Sequence, residues 1–286
     1  MEALGELCLP TPFIETSIIA ARFLGSARST EGDAVLSAMA TGGARVAIAG
    51  LDSRLRGDLS AHCTSGEWTI DGTARVVLDA DDASFFIIIA PHEGVPAVFL
   101  LRDGTTCGRH SFPTIDGRGA ADLTLDQAPA VLIAADAAMF IAMVTDEAIA
   151  CLAVEAAALM RRLVRETLGH AKQREQFGQP IARFQVVQHR LVDMHIQARR
   201  AGAIARRAMA ALTASKTERS SVVSAAKVTI AQAGRYIGQQ AVQLHGGMGM
   251  TMELVIGRSF KRLTVIEGEL GSADDHLRRY AATLAA

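Results

Sequence analysis

Apolar side chains in the second half of the chain recur at steps of three and four residues on both sides of one polar break. The recurring positions before the break are Ile149, Leu152, Ala156, Leu159, Leu163 and Ala171, and those after it are Phe184, Val187, Leu191, Met194, Ala198 and Ala201. This spacing predicts two amphipathic helices. Gly178 and Pro180 lie in the break, and proline cannot occupy a helix interior. We therefore expect two long helices joined by a short turn.

Upstream of these helices the hydrophobic period changes twice. Residues 11–40 carry apolar positions at helical spacing and predict two short helices. From residue 45 to 127 apolar and polar residues alternate in several places, which is typical of strands, and Asp71-Gly72 predicts a hairpin turn. The apolar runs 84–90 and 96–101 predict buried strands. This part of the chain is therefore predicted to be a small all-β unit.

Beyond Pro129 the pattern predicts helices to the end of the chain, with breaks at 178–180, 213–221 and 246–249. A chain of 286 residues is long enough for two domains. We predict an α+β fold that is mostly α, in three parts. These parts are a helical segment at 1–43, a β domain at 44–129 and a C-terminal helical bundle at 130–286.

Net charge and cysteine usage narrow the classes of function. A formal net charge of -1 gives no electrostatic reason to expect nucleic acid as a partner. Cys8, Cys63, Cys107 and Cys151 are far apart, so we interpret them as free, mostly buried thiols of a reducing, cytoplasmic compartment. They form no pattern that would bind a metal. The sequence also lacks a basic signal-peptide start and an apolar run of the roughly 18 residues that a membrane span needs.

Two motifs together carry a resemblance to a known family. The run R-E-Q-F-G-Q-P-I-x-x-F-Q-x-x-Q, which begins at Arg174, resembles the flavin-binding segment of acyl-CoA dehydrogenases. The run Q-L-H-G-G-M-G-M-T, which begins at Gln243 about seventy residues later, resembles the Q-x-x-G-G-x-G-(Y/F)-T segment of the same family. Either motif alone would be a weak signal, but their order and separation make the pair specific.

The resemblance implies an acyl-CoA dehydrogenase-like architecture of N-terminal helices, a small β domain and a C-terminal four-helix bundle. The helical N-terminal domain of the family is much longer than residues 1–43 of this chain. The resemblance therefore implies that these residues are a truncated remnant of that domain, which normally helps to cover the acyl group.

The resemblance also implies FAD as the cofactor and assigns residues to it. Arg174 is similar to the arginine that binds the FAD pyrophosphate, typically on the neighbouring subunit's cofactor, and Phe177 would pack beside the adenine or the flavin edge. Gln243, Gly246 and Gly247 resemble the residues that hold the adenylate side. Simpler interpretations stay open: Arg174 as a charge at a helix C-terminus, Phe177 as a core aromatic, and the glycines as an ordinary turn.

The reaction of the family needs a carboxylate that removes the proton α to a thioester carbonyl. Glu267, in an I-E-G context, is the nearest counterpart of the glutamate in the family's Y-E-G-T stretch, and it is the predicted catalytic residue. Its flanking residues differ from the family pattern, so a solvated carboxylate is the alternative. Another branch places the base on the helix before the first motif, where this chain has Ala148 with Glu147 beside it.

The β domain departs further from the family pattern. Family members carry L-T-E-P-x-x-G-S and W-I-(T/S)-N segments whose hydroxyl groups contact the flavin ring. The counterparts in this chain are Ala47 to Leu51 and Val76 to Asp79, which contain no hydroxyl group. The resemblance thus allows a subunit that keeps the Arg174 and Gln243 segments and does not hold its own isoalloxazine ring.

These features predict a subunit of a FAD-dependent acyl-CoA dehydrogenase. It would oxidise an acyl-CoA to the trans-2-enoyl-CoA and pass the electrons to an electron-transfer flavoprotein. The shortened form resembles heteromeric members of the family, some of which act on bulky CoA thioesters such as steroid side chains, so a homo- or hetero-oligomer with another dehydrogenase-like chain is expected. The alternative is a non-catalytic structural subunit that completes the flavin site of a partner dehydrogenase. A helical scaffold unrelated to flavin is a third interpretation.

Overall fold

The computed structural model describes residues 1–26, 29–102, 107–251 and 253–285. The chain forms two compact units. One contains residues 10–148, and the other combines residues 1–9 with residues 149–286. We call them the sheet unit and the bundle unit.

The described helices and strands follow one another in the order that the sequence patterns predict: short helices, strands, then long helices. The helices are α1 (Glu2–Leu7), α2 (Ala20–Ser26), α3 (Thr30–Ala40), α4 (Ala138–Gln173), α5 (Gln185–Ala211), α6 (Lys216–His245), α7 (Val255–Gly268) and α8 (Ala273–Leu284). The strands of the main sheet are β1 (Val46–Ala49), β2 (Ser60–Thr64), β3 (Glu67–Leu78), β4 (Phe85–His92), β5 (Val95–Arg102), β6 (Cys107–Pro113) and β7 (Gly119–Ala134). A π-helix, Ile14–Ile19, leads into α2. The predicted mostly helical α+β fold is confirmed.

The sheet unit is built around the long strand β7. This strand pairs antiparallel with β3, β5 and β6, while β1 and β4 form a parallel pair at one edge. The sheet order is β1-β4-β5-β7-β3-β2, with β6 on β7. Ile70, Phe86, Phe99 and Leu123 are fully or almost fully buried in the core of this unit. The continuous apolar run of β4 is buried along most of its length, as expected of an internal strand.

The predicted hairpin turn at Asp71-Gly72 is wrong. Strand β3 runs through both residues, and the turn before it is Ser65-Gly66, since Thr64 pairs with Glu67. Gly72 has a φ of 110° at a register shift, and a Cβ placed there would lie 2.6 Å from the carbonyl oxygen of Asp58. The glycine therefore marks a β-bulge and a close backbone approach, which also favour this residue.

The prediction that the chain is helical beyond Pro129 is also wrong at its start. Strand β7 continues through Pro129 to Ala134, past the predicted end of the β domain at residue 129, and α4 begins at Ala138. Val131 and Leu132 pair with β5, so the far end of β7 is held by a second neighbour after β3. Sequence alternation over four residues is too short to reveal this extension.

Helix α6 packs against α5, α7 and α8 in the bundle unit. Ile149 of α4, Ala208 of α5 and Val223 of α6 belong to one buried cluster. Small residues permit this close approach: a Cβ placed on Gly234 of α6 would lie 3.4 Å from side-chain atoms of Met160 and Leu263. The predicted breaks at 178–180 and 246–249 are confirmed, and the break between α5 and α6 is shorter than the predicted 213–221.

Several predictions about chemistry can be compared directly with the described residues. Cys8 and Cys63 are free thiols; Cys151 is buried as expected, but Cys63 is exposed on β2. None of the described helices has the length and hydropathy that a membrane span requires. Among the described residues, no group of three or more His, Cys, Asp and Glu side chains is arranged to hold a metal ion.

Candidate functional site

The segment that begins at Arg174 forms a small hairpin directly after α4. The backbone N–H of Arg174 donates to the carbonyl of His170 at 2.8 Å, which closes the helix. Glu175–Gln176 then pairs with Gln179–Pro180. The turn between these pairs consists of Phe177 and Gly178, with φ angles of 56° and 78°. Two successive positive φ angles are typical of a type I′ turn, so the sequence Phe-Gly sets the tip of the hairpin.

Phe177 and Arg174 both point away from the core of the bundle unit. The side chain of Phe177 is 92% exposed, and it touches Phe184 edge to face at a ring-centroid distance of 6.1 Å. The structure thus rules out a core role for Phe177 within this unit. Arg174 is exposed, and its guanidinium has no hydrogen bond or ion pair with any described residue. Its donors therefore remain available for a ligand.

The second segment follows the end of α6. Gly246 has a φ of 65° and begins a 3₁₀ turn, Gly246–Met250. A Cβ placed on Gly246 or Gly247 would meet no atom within 4 Å, whereas a Cβ on Gly249 would lie 2.9 Å from the carbonyl oxygen of Val242. Gly249 is thus required by the local packing, and the backbone at Gly246 and Gly247 is open. Gln243 is exposed, and its amide also has no partner among the described residues.

Two histidines connect these segments. The rings of His170 and His245 are stacked, with centroids 4.2 Å apart and planes 25° from parallel. His170 lies in the last turn of α4, and His245 is the last residue of α6. Burial lowers the pKa of His170, and the nearby His245 and Arg174 lower it further. The sequence motifs assigned no cofactor contact to His245 and did not single out His170, because stacking between helices that are far apart in the sequence has no local sequence signal.

The donors of these segments fit the predicted cofactor. FAD carries a pyrophosphate, and the planar fork of arginine suits phosphate oxygens. The free guanidinium of Arg174, the free amide of Gln243 and the open glycine backbone provide three kinds of donor in one region of the bundle unit. An exposed backbone turn is also suited to anions. Because Arg174 and Gln243 are both exposed, a cofactor held by them alone would be covered on one side only.

Glu267 occupies a different environment. It lies near the end of α7, and its carboxylate accepts hydrogen bonds from Nε and Nη2 of Arg235 on α6, the Nε bond being 3.1 Å long. The side chain of Glu267 is 21% exposed. Glu267 is thus a partly exposed carboxylate held in an ion pair. As long as the pair is intact, both carboxylate oxygens are engaged by a guanidinium.

A buried lysine, Lys227, holds the backbone at Glu267 through two hydrogen bonds. Lys227 is 0% exposed, and its ammonium donates to the carbonyls of Ile266 at 2.7 Å and Glu267 at 3.0 Å. These are carbonyls of the last turn of α7, where a positive charge is favoured by the helix dipole. The position of Glu267 is therefore fixed by α6 through its backbone as well as its side chain.

The alternative base position carries no catalytic group. Ala148 is fully buried, and the adjacent Glu147 forms a bidentate ion pair with Arg22 of α2, with both hydrogen bonds at 2.8 Å. Both residues belong to the sheet unit. A paired carboxylate one residue away points in another direction on the helix, so Glu147 has a structural role.

The sheet segments that correspond to the family's hydroxyl donors are also structural. Ala47 and Ala49 of β1 are buried in the core of the sheet unit. Val76 has a φ of 52°, and its N–H donates to Asp122. Burial raises the pKa of Asp79, which follows β3. These residues pack in the core or lie where strand β3 bends, and their side chains offer no hydroxyl donor.

A profile of the family described as "Acyl-CoA dehydrogenase, C-terminal domain" matches residues 140–284. The chain is 28% identical to acyl-CoA dehydrogenase FadE27 of Mycobacterium tuberculosis over 301 aligned positions, which cover 99% of this chain and 79% of that protein. It is 31% identical to acyl-CoA dehydrogenase IpdE2 of Mycolicibacterium smegmatis over 137 positions, 48% of this chain. That match spans less than half of IpdE2, 42% of its length.

Two solved structures have a similar fold over nearly the whole chain. One is a variant of the Tcur3481-Tcur3483 steroid ACAD, with a TM-score of 0.89 and 26% identity over 99% of this chain and 79% of that one. The other is the ChsE4-ChsE5 complex from Mycobacterium tuberculosis, with a TM-score of 0.88 and 25% identity over 99% of this chain and 78% of that one.

Proposed function

The chain belongs to the acyl-CoA dehydrogenase family, and from this membership we propose that it is a subunit of a FAD-dependent acyl-CoA dehydrogenase. The assembled enzyme would convert an acyl-CoA thioester to the trans-2-enoyl-CoA and pass electrons to an electron-transfer flavoprotein. The observation that carries the proposal is the set of free donors at Arg174, Gln243 and the turn at Gly246-Gly247.

Each residue has a distinct role in this proposal. Arg174 would bind the pyrophosphate of FAD, and Gln243 with Gly246 and Gly247 would hold the adenylate side. Phe177, at the exposed tip of the hairpin, would pack against the adenine or the flavin edge. When bound, FAD supplies the acceptor for the hydride that leaves the β carbon of the substrate.

We propose that this subunit works with a second acyl-CoA dehydrogenase-like chain. Arg174 and Gln243 are exposed, so a cofactor bound to them needs further protein contacts from another part of the assembly. The segments at Ala47 to Leu51 and Val76 to Asp79 lack hydroxyl donors for a flavin ring. The likeness to the ChsE4-ChsE5 complex and to a steroid ACAD supports a heteromer and a bulky or steroid side-chain CoA substrate. A cytoplasmic location belongs to the same proposal, since Cys8 and Cys63 are free thiols.

Glu267 is the candidate base if the chain carries its own catalytic group. Its ion pair with Arg235 occupies both carboxylate oxygens. Glu267 would have to leave Arg235 before it could accept the proton from the carbon α to the thioester carbonyl.

The Arg235–Glu267 pair favours a second candidate function. With Glu267 engaged and Ala148 at the other base position, this chain would be a non-catalytic subunit that lends Arg174 and Gln243 to the flavin site of its partner. Both candidates require flavin in the complex, and they differ only in which chain supplies the base.

The test is to purify the chain alone and with the dehydrogenase-like chain that co-purifies with it, and to record the flavin spectrum of each preparation. We expect flavin in the complex. Absence of flavin from both preparations would overturn both candidates and favour the scaffold interpretation. Reduction of the bound flavin by acyl-CoA under anaerobic conditions then tests the dehydrogenase reaction.

A further inference from the structure

We propose that His170 and His245 form a positioning stack that sets the distance between the Arg174 hairpin and the glycine-rich turn. The inference rests on the proposed function, because these two segments are the proposed FAD contacts. Neither histidine is proposed to touch the reacting atoms, so both are positioning residues.

The backbone connections make the stack an effective link. The carbonyl of His170 accepts the N–H of Arg174 at 2.8 Å, so the ring that stacks belongs to the residue that anchors the hairpin. His245 directly precedes Gly246, whose positive φ begins the turn. A shift of one ring against the other would therefore move Arg174 relative to Gly246.

A hydrogen bond orients the ring of His245 at the end of α6. Nδ1 of His245 lies 2.8 Å from the carbonyl oxygen of Ala241, and since a carbonyl only accepts, this nitrogen carries the proton. The ring of His170 at the end of α4 stacks on this oriented ring, with the two ring centroids 4.2 Å apart.

A neutral His170 ring favours the stack. The groups that act on His170 are His245 from α6 and the positively charged Arg174 at its own end of α4, and both lower the pKa of His170. The residues of the turn, Gly246 to Met250, contribute no titratable side chain. The lowered pKa of His170 means that its ring is neutral at neutral pH. As the pH falls below the usual value of about 6.5 and towards the folded value, the ring takes up a proton and the stack is weakened.

The experiment compares four variants in the assembled complex at pH 7.5. His170→Ala and His245→Ala remove the stack, His170→Phe keeps an aromatic ring without a titratable group, and His62→Ala changes an exposed histidine of β2 as the matched control. We expect FAD affinity to fall about three- to tenfold in the two alanine variants, by analogy with other aromatic pairs. The Phe and His62 variants should stay within about twofold of the unaltered complex. Thermal melting of every variant shows whether it is folded.

The pH profile separates positioning from simple packing. Between pH 7.5 and 5.5 the unaltered complex should lose more FAD affinity than His170→Phe, because the variant has no titratable ring at position 170. Equal profiles, or FAD affinity unchanged in both alanine variants, would overturn the proposal.

Hydrogen exchange of the cofactor-free complex provides a readout that does not depend on FAD. We expect His245→Ala to increase exchange in residues 174–180, and His170→Ala to increase exchange in 246–250, since each ring supports the other segment. A complex that binds no FAD would refute the proposed function but leave this result interpretable. Unchanged exchange in both segments would refute the stack as a positioning device.

Discussion

Arg174 is the single residue on which FAD binding should depend most. Its guanidinium is exposed and has no side-chain partner among the described residues, so truncation leaves no buried group unsatisfied. We expect Arg174→Ala to remove a charge-assisted contact worth about 1.5–3 kcal/mol, which lowers FAD affinity about tenfold or more.

Lys172→Ala is the matched control, because it removes another exposed cation from the same helix end. Equilibrium titration of the cofactor-free complex with FAD gives both affinities. Equal losses in the two variants would show a general effect of charge, and no loss in either would remove Arg174 from the cofactor site.

Also at the scale of single residues, Glu267→Gln tests whether Glu267 is the catalytic base. Glutamine keeps the shape and can still meet Arg235 through its carbonyl, so folding and flavin content should survive. If Glu267 is the base, anaerobic reduction of bound flavin by acyl-CoA should slow by about 10²–10⁴-fold. Arg235→Gln, which frees the carboxylate, is the companion variant and should not show this loss. Equal reduction rates in Glu267→Gln and the unaltered complex would assign the base to the partner chain.

The motif residues could be predicted from sequence, but their partners could not. Arg174 and Gln243 lie in short motifs that can be recognised from the sequence alone, and both side chains are exposed in the structure. Arg235 was not singled out, because its contact with Glu267 joins two helices and has no local pattern. The same is true of buried Arg262, which bridges Glu155 at 2.6 Å and Glu269 at 3.0 Å.

At the scale of elements, the glycines of the turn after α6 have different roles. Gly249 is needed for close packing, whereas Gly247 leaves the backbone open to a ligand, and one substitution at each position tests this difference. A Cβ on Gly249 would lie 2.9 Å from the Val242 carbonyl, whereas a Cβ on Gly247 would meet nothing within 4 Å. Gly249→Ala should therefore destabilise the protein by about 1–3 kcal/mol, the usual cost of overpacking.

Gly247→Ala should leave stability nearly unchanged and report only on the open backbone proposed to face FAD. Thermal melting of the cofactor-free protein measures the first effect, and FAD titration measures the second. A melting temperature equally lowered in both variants would contradict this division of roles.

The strands show why element boundaries were harder to predict than element types. Alternation correctly indicated strands between residues 45 and 127, and the apolar runs at 84–90 and 96–101 correspond to β4 and β5. Asp71-Gly72 was misassigned because the requirement for glycine in a bulge beside Asp58 depends on a neighbour that is distant in the sequence. The extension of β7 to Ala134 likewise depends on pairing with β5.

At the scale of the whole molecule, the outer face of α5 bears on assembly. Val192 and Ile196 are 57% and 48% exposed and lie four residues apart, hence on one face of the helix. Clustered exposed apolar residues usually mark an interface. We therefore predict that the chain is not a monomer and that this face of α5 contributes to its oligomer.

The double variant Val192→Lys with Ile196→Lys should shift the assembly towards smaller species, because burying two lysines without partners is costly. Leu284→Lys is the matched control: it replaces an apolar residue that is 72% exposed at the end of α8. Light scattering after size-exclusion chromatography at micromolar concentration measures both, and circular dichroism confirms that each variant is folded. A monomeric unaltered chain, alone and with its partner, would refute an oligomer. An unaltered assembly in the double variant would place the interface elsewhere. Loss of FAD together with loss of assembly would connect the two proposals, since exposed Arg174 and Gln243 need a second chain to enclose a cofactor.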